Sequence, residues 1–269
     1  MIINVWKKMF CCLYIQMTKY KITFLASLFN IGIKVIAMAL VWKAVYAYNI
    51  NDTQLSLDQM LVYSTISIAL SQCLTWWDGP HYYALETVQS GTIIFDMLKP
   101  ISFPVQLFIR GSSEFILNII IYTIPTVVVG IIFLHISISI YLSNFFMFLV
   151  ALIYSYFILF EFQLILSFIS IKTLELSGII HFFHAIVMLL SCQVIPIDMY
   201  PVYIQNIINV LPFKYVFYFP LEIISSGMPF DKTLFFSTMA NGTVWLIFMG
   251  TICFVLWGKT KRVICIQGG

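Results

Sequence analysis

Apolar stretches recur along this chain, and each approaches the roughly 20 residues a helix needs to cross the hydrocarbon core of a bilayer. They cover residues 22–48, 57–77, 105–134, 142–170, 179–195 and 233–257. Lipid offers no hydrogen bonds to the backbone, so such stretches must satisfy their own polar groups as helices. The expected fold class is therefore an all-α integral membrane protein with six transmembrane helices in a single domain, 1–269.

Composition excludes the alternatives. Hydrophobic residues make up 61% and charged residues 9%, whereas soluble domains carry about 45–50% and about 25%. The 25 Phe and the net charge of +3 are the opposite of a disordered chain. Fourteen dispersed Lys and Arg form no basic stripe, so no nucleic-acid partner is expected.

Residues 1–21 lack the continuous apolar core and cleavage site of a signal peptide. At helical spacing, Ile2, Trp6, Met9, Leu13, Met17 and Tyr20 share one face. Asn4, Lys7, Lys8, Thr18 and Lys19 share the opposite one. This pattern predicts a helix lying in the membrane interface.

Basic residues orient the bundle. With the N-terminus inside, Lys7, Lys8, Lys19, Lys21, Lys99, Arg110, Lys172, Lys259, Lys261 and Arg262 fall on the cytoplasmic side, and only Lys214 and Lys232 fall outside. That bias places both termini in the cytoplasm.

Two connections carry structure of their own. Residues 86–100 are cytoplasmic, with Gly91 to break a helix and Pro100 to stop the next short one. Residues 196–231 are external and hold Pro196, Pro201, Pro212, Pro220 and Pro229 between apolar runs too short to cross. Such segments dip into the membrane and return.

Intramembrane charges are costly and hence informative. Arg110 and Glu114 stand four apart on one helical face and can pair. Glu161 and Gln163 sit deep in the fourth stretch, and Lys34 lies within the first, where depth suggests Glu161 as its counter-ion. His181 and His184 have the spacing of two metal ligands but no third, so no metal site is expected. The six cysteines show no CxxC and read as packing residues. Asn51-Asp52-Thr53 and Asn241-Gly242-Thr243 match glycosylation sequons. Gly258-Lys259-Thr260 lacks the further glycine of a phosphate loop, since Cys253 occupies that position. If ATP drives the protein, another polypeptide binds it. No acidic, histidine or nucleophile cluster suggests catalysis, although a membrane-embedded lipid-modifying enzyme or an accessory membrane protein remains the alternative.

Three segments taken together resemble the permease subunits of bacterial type-2 ABC exporters, in the branch ending Gln-Gly-Gly. They are Ser90-Gly91-Thr92-Ile93-Ile94-Phe95-Asp96-Met97-Leu98-Lys99-Pro100-Ile101-Ser102-Phe103, then Leu211-Pro212-Phe213-Lys214-Tyr215-Val216-Phe217-Tyr218-Phe219-Pro220, and the ending Val263-Ile264-Cys265-Ile266-Gln267-Gly268-Gly269. Thr92 stands where the branch commonly has an acid, and Lys99 where it has arginine.

The resemblance implies a non-catalytic permease in the bacterial cytoplasmic membrane. It implies a coupling helix that docks on an ATPase subunit, two copies of which carry the ATP and Mg; this chain itself holds no cofactor. Ile94 and Leu98 would be the apolar anchors of that dock, with Glu86, Gln89, Asp96 and Lys99 as its polar rim and Gly91 as its turn. A second permease chain, identical or a diverged sister, would complete the pathway within membrane lipid. Substrate-path candidates are Tyr63, Glu161, Gln163 and His184; the outer gate would comprise Leu211, Phe213, Tyr215 and Phe219. The expected cargo is hydrophobic or amphiphilic, such as an antibiotic, lipid or peptide, moved outward.

Overall fold

The computed structural model describes residues 2–19, 21–48, 55–76, 79–134, 141–173, 177–226 and 228–267. Among these residues the regular elements are all helical. The expected end of the second span at residue 77, the sequon at 51–53, most of the 135–141 connection and the final Gly268-Gly269 lie outside the described residues.

Helix α1 (Ile2–Lys19) packs along α6 (Phe103–Asn118). The Trp6 indole donates to Ser112 Oγ at 3.1 Å, and Leu13 is buried. Helix α2 (Lys21–Ala47) buries Ile31, Val35, Ala39 and Trp42, which recur at helical spacing on one side. Its other faces, including Leu25, Phe29, Ile33 and Leu40, remain exposed.

Helix α3 (Leu57–Cys73) begins at a capping box: Gln59 N donates to Ser56 Oγ at 3.3 Å, and Ser56 N donates to Gln59 Oε1 at 2.9 Å. It is buried almost all round, including Met60, Tyr63, Ser64, Thr65, Ser67 and Leu70. Small polar residues among the large ones let neighbouring helices close around it.

The sequence reading carries the second span to residue 77, but the helix ends at Cys73. Gly79-Pro80 then starts α4 (Pro80–Gln89). Proline disfavours helix at the residue before it and suits the first helical position, so the chain breaks here and restarts. The freed backbone is not left bare: Gln163 Nε2 donates to the Thr75 carbonyl at 2.8 Å. Gln163 belongs to α8 (Leu142–Thr173), ten residues before its end, or about 15 Å along the axis. Helix α4 therefore starts beside the middle of α8 and packs along it. The region around His81, between the expected second span and the segment 86–100, is the continuation of a broken helix.

After α5 (Ile93–Met97), α6 runs through a π turn at Ile119–Thr123 into α7 (Ile124–Leu134). Pro125 has no N–H to give the carbonyl four residues earlier, and the irregular turn falls in that stretch. Thr123 Oγ1 donates instead to the Ala69 carbonyl of α3 at 3.0 Å.

The fifth span was expected to reach residue 195, yet α9 (Ser177–Leu190) stops after 14 residues. Cys192 lies in the left-handed region at φ 57°. Its carbonyl accepts from the Tyr63 hydroxyl, the Gln193 carbonyl accepts from Ser67 Oγ, and Tyr218 N donates to the Ser191 carbonyl at 3.0 Å. Irregular backbone is tolerated where protein covers it in this way.

Two short helices follow, α10 (Val202–Val210) and α11 (Tyr218–Ser225). The last helix, α12 (Lys232–Gln267), continues ten residues past the expected end at 257 and carries Lys259, Lys261 and Arg262 on a helical extension. Nothing in 258–267 breaks a helix except Gly258, which faces open space. Among the described residues, four helical stretches are long and apolar enough to cross a membrane alone: Phe24–Ala47, Phe103–Leu134, Leu142–Lys172 and Lys232–Arg262. Helices α3 and α9 are shorter. Helix α8 is the axis of the bundle, with α4, α11 and α12 packed on it.

Candidate functional site

At one end of the bundle, Gly91 turns the chain at φ 72° and sets α5 across the end of α4. A left-handed φ costs a side-chain-bearing residue roughly 1 kcal/mol or more, which explains glycine at this corner. Of the expected anchors, Ile94 is 49% and Leu98 77% exposed, joined by Phe95 at 68%. Three large apolar side chains are thus exposed on one five-residue helix and the residue that caps it. Glu86, Gln89 and Lys99 are exposed around them.

Asp96 departs from the sequence reading. It is buried, not part of an exposed rim. Tyr83 Oη donates to Asp96 Oδ2 at 2.9 Å, Lys99 Nζ lies 2.5 Å from Oδ1, and Gln106 Nε2 donates to the Asp96 backbone carbonyl at 2.7 Å. Its position on the inner side of α5 could be found only by knowing that α4 and α6 stand behind that helix. The carboxylate fastens the short helix to the bundle.

The fastening leads inward. Arg110 places its guanidinium 4.4 Å from the centre of the Tyr83 ring, and its Nε donates to Glu114 Oε1 at 3.0 Å. Glu114 is buried and Arg110 partly so. Cation–π and charge-assisted contacts of this kind strengthen as water is excluded. Asp96, Tyr83, Arg110 and Glu114 consequently form one contiguous polar path from α5 into the membrane-spanning bundle.

Arg110 and Glu114 stand on the wall of a cavity of about 710 Å³ between α1, α2, α3, α6 and α9. Its polar lining also includes Lys34, Gln72, Asn118 and His184, and its apolar lining includes Phe24, Trp76, Tyr122 and Phe217. Ring pairs frame it: Trp76 stacks on His184 at 5.9 Å, and Phe24 meets Tyr122 at 6.1 Å.

Of the four substrate-path candidates, the structure puts only His184 on this wall. Tyr63 and Gln163 are buried between helices, holding the broken ends of α9 and α3. Glu161 faces α12: its Oε1 lies 3.2 Å from where a side chain at Gly250 would begin, and its backbone carbonyl accepts from the Cys253 thiol at 3.6 Å. It is not the partner of Lys34. Depth along two helices says nothing of their rotation, and α8 turns this carboxylate away from α2. The wall residues Gln72, Asn118, Gln193 and Tyr122 went unnoticed in the sequence, because neutral polar residues in apolar helices carry no signal of which way they face.

At the other end of the bundle, Leu211 is half-buried, while Phe213, Tyr215 and Phe219 are buried against α8 and α12. Phe213 stacks on Phe162 at 5.0 Å, Phe219 stacks on Phe235 at 5.6 Å, and Ser155 Oγ donates to the Tyr215 carbonyl at 2.8 Å. A pocket of about 250 Å³ nearby holds Asp198, Lys214, Tyr218 and Glu222.

The family whose model describes an ABC-2 family transporter protein matches residues 28–266, nearly the whole chain. The chain belongs to the ABC-2 transporter family. No curated protein matches it significantly. As an ABC-2 family member it is a multi-pass membrane permease of an ABC transporter, and membership implies association with an ABC ATPase and an oligomeric assembly.

Proposed function

We propose that this permease moves a hydrophobic or amphiphilic substrate outward, powered by two copies of a separate ATPase subunit that bind ATP and Mg. The observation that carries this reading is the path from the exposed Ile94, Phe95 and Leu98 through Asp96, Tyr83 and Arg110 to Glu114 on the cavity wall. A docked ATPase that displaces α5 displaces a carboxylate whose fastenings end at the cavity. In this reading the chain crosses six times, in the bacterial cytoplasmic membrane with both termini in the cytoplasm. The broken pair α3 and α4 makes one crossing, and α9 with α10 and α11 makes another. A second permease chain, identical or a diverged sister, covers the exposed side of α2. The packed layer of Leu211, Phe213, Tyr215 and Phe219 acts as the outer gate, which parts when the cavity opens outward.

The test is a mild-detergent pull-down of the tagged chain from its native membrane, with mass spectrometry of what is retained. An ATPase subunit retained by the native chain and lost in the Ile94→Asp, Leu98→Asp double variant is expected. Recovery of the native chain with no ATPase, under conditions that keep the chain folded, would overturn the reading. A second hydrophobic chain in equal amount would identify a diverged sister; its absence, with a dimeric mass, would identify a homodimer.

A further inference from the structure

The cavity described above is unevenly charged. Its lining carries two cations, Lys34 on α2 and Arg110 on α6, and one carboxylate, Glu114. Arg110 is already committed to Glu114 at 3.0 Å. Lys34 has no ion pair among the described residues, and Glu161, the acid at similar depth in α8, turns toward α12. Lys34 lies near the centre of the apolar stretch Phe24–Ala47, 13 residues or about 20 Å past the start of its helix. An ammonium at that depth in a membrane is costly unless a counter-charge meets it. The excess is one positive charge facing a chamber whose volume, about 710 Å³, is that of a small-molecule site.

The remaining lining says what else the ligand must carry. Asn118 offers an amide donor in the same lining and His184 adds an imidazole, whereas the Gln72 amide already donates to the Ile68 carbonyl and to Ser71 Oγ. Trp76, Tyr122, Phe24 and Phe217 supply aromatic surface for a hydrophobic body. Charge and apolar surface thus occur in one chamber, and Gln16 and Met17 of α1 border it at one end.

We infer that the cavity binds an amphiphile with an anionic headgroup, and that Lys34 supplies its counter-charge. The headgroup accepts hydrogen bonds from the Lys34 ammonium, and the apolar body lies against the aromatic wall. Arg110 keeps its bond to Glu114, so binding is sensed next to the path that runs through Tyr83 to α5. This inference rests on the reading of the cavity as the substrate site and adds its charge preference.

The test uses the purified full chain in a neutral maltoside detergent and three photoreactive probes sharing one diazirine-bearing decyl tail: a phosphate, a trimethylammonium and a glucoside. Labelled peptides are mapped by mass spectrometry. The phosphate probe is expected to label the cavity segments of α2, α6 and α9 about tenfold more than the ammonium probe, a difference of about 1.4 kcal/mol. Excess unlabelled decyl phosphate should compete. Labelling by the phosphate should fall to the level of the glucoside in Lys34→Gln and return in Lys34→Arg. The arginine variant keeps the test valid should the glutamine variant fold poorly. Equal cavity labelling by all three probes, or phosphate labelling indifferent to both variants, would overturn the anionic preference while leaving the cavity as a substrate site. No cavity labelling by any probe would overturn both readings together. Repeating the phosphate labelling in nanodiscs of phosphatidylglycerol and of phosphatidylcholine separates the sources: competition by the former alone makes the ligand a bilayer phospholipid, and no competition by either makes it a soluble cargo.

Discussion

Tyr83 reaches from α4 to donate a hydrogen bond at 2.9 Å to the buried carboxylate of Asp96 on α5. The other face of its function is its ring, over which Arg110 rests at 4.4 Å. One side chain thereby touches both the helix proposed to meet the ATPase and the ion pair on the cavity wall.

Replacing Tyr83 by Phe removes the hydrogen bond and keeps the ring. The lost bond is worth about 0.5–1.5 kcal/mol, and Lys99 still partners Asp96. The expected outcome is an ATPase that still copurifies but whose hydrolysis responds severalfold less to cargo. Unchanged stimulation in a reconstituted complex would remove Tyr83 from the transmission path.

Gly91→Ala meets no steric obstacle, since nothing lies within 4 Å of the added carbon. Its cost is the left-handed backbone alone, about 1–2 kcal/mol. Gly91→Asn should be better tolerated than Gly91→Ala, because asparagine visits that region more readily. Retention of the ATPase in pull-downs, ranked glycine, asparagine, alanine, checks the order.

Gln163→Leu should destabilise the chain by about 1–3 kcal/mol, because it strips the Thr75 carbonyl of its donor at a break inside the bundle. Thermal melting in detergent reads this directly. A melt unchanged from wild type would mean that another group takes over the carbonyl.

The helices were legible because hydropathy and helical spacing are properties of one segment at a time. The Arg110–Glu114 pair was legible too, because its partners are one turn apart on the same helix. Gly91 and Pro100 likewise announced a short separate helix. The face of α2 that packs, with Ile31, Val35, Ala39 and Trp42, was not legible, because equally apolar Ile33, Ile36 and Leu40 stand on its exposed sides. The break between α3 and α4 was harder to read, because the apolar run continues through Leu74 and Trp76 even though the helix does not. Whether Gly79-Pro80 ends a crossing or interrupts one depends on Gln163, which is remote in sequence and supplies the missing hydrogen bond.

The amino-acid sequence by itself determined that this chain lives in a membrane as a helical bundle, with a glycine-broken helix at 86–100 and proline-broken segments at 196–231. Those outcomes depend on how apolar a segment is and where its backbone can turn, and both are written locally. Only the tertiary structure decided that Asp96 faces inward, that Glu161 turns from Lys34, and that Lys34 joins Arg110 and Glu114 around one cavity. Each depends on the rotation of one helix about its axis relative to another. That angle is set by the packing of side chains from distant parts of the chain, so no single stretch of sequence contains it.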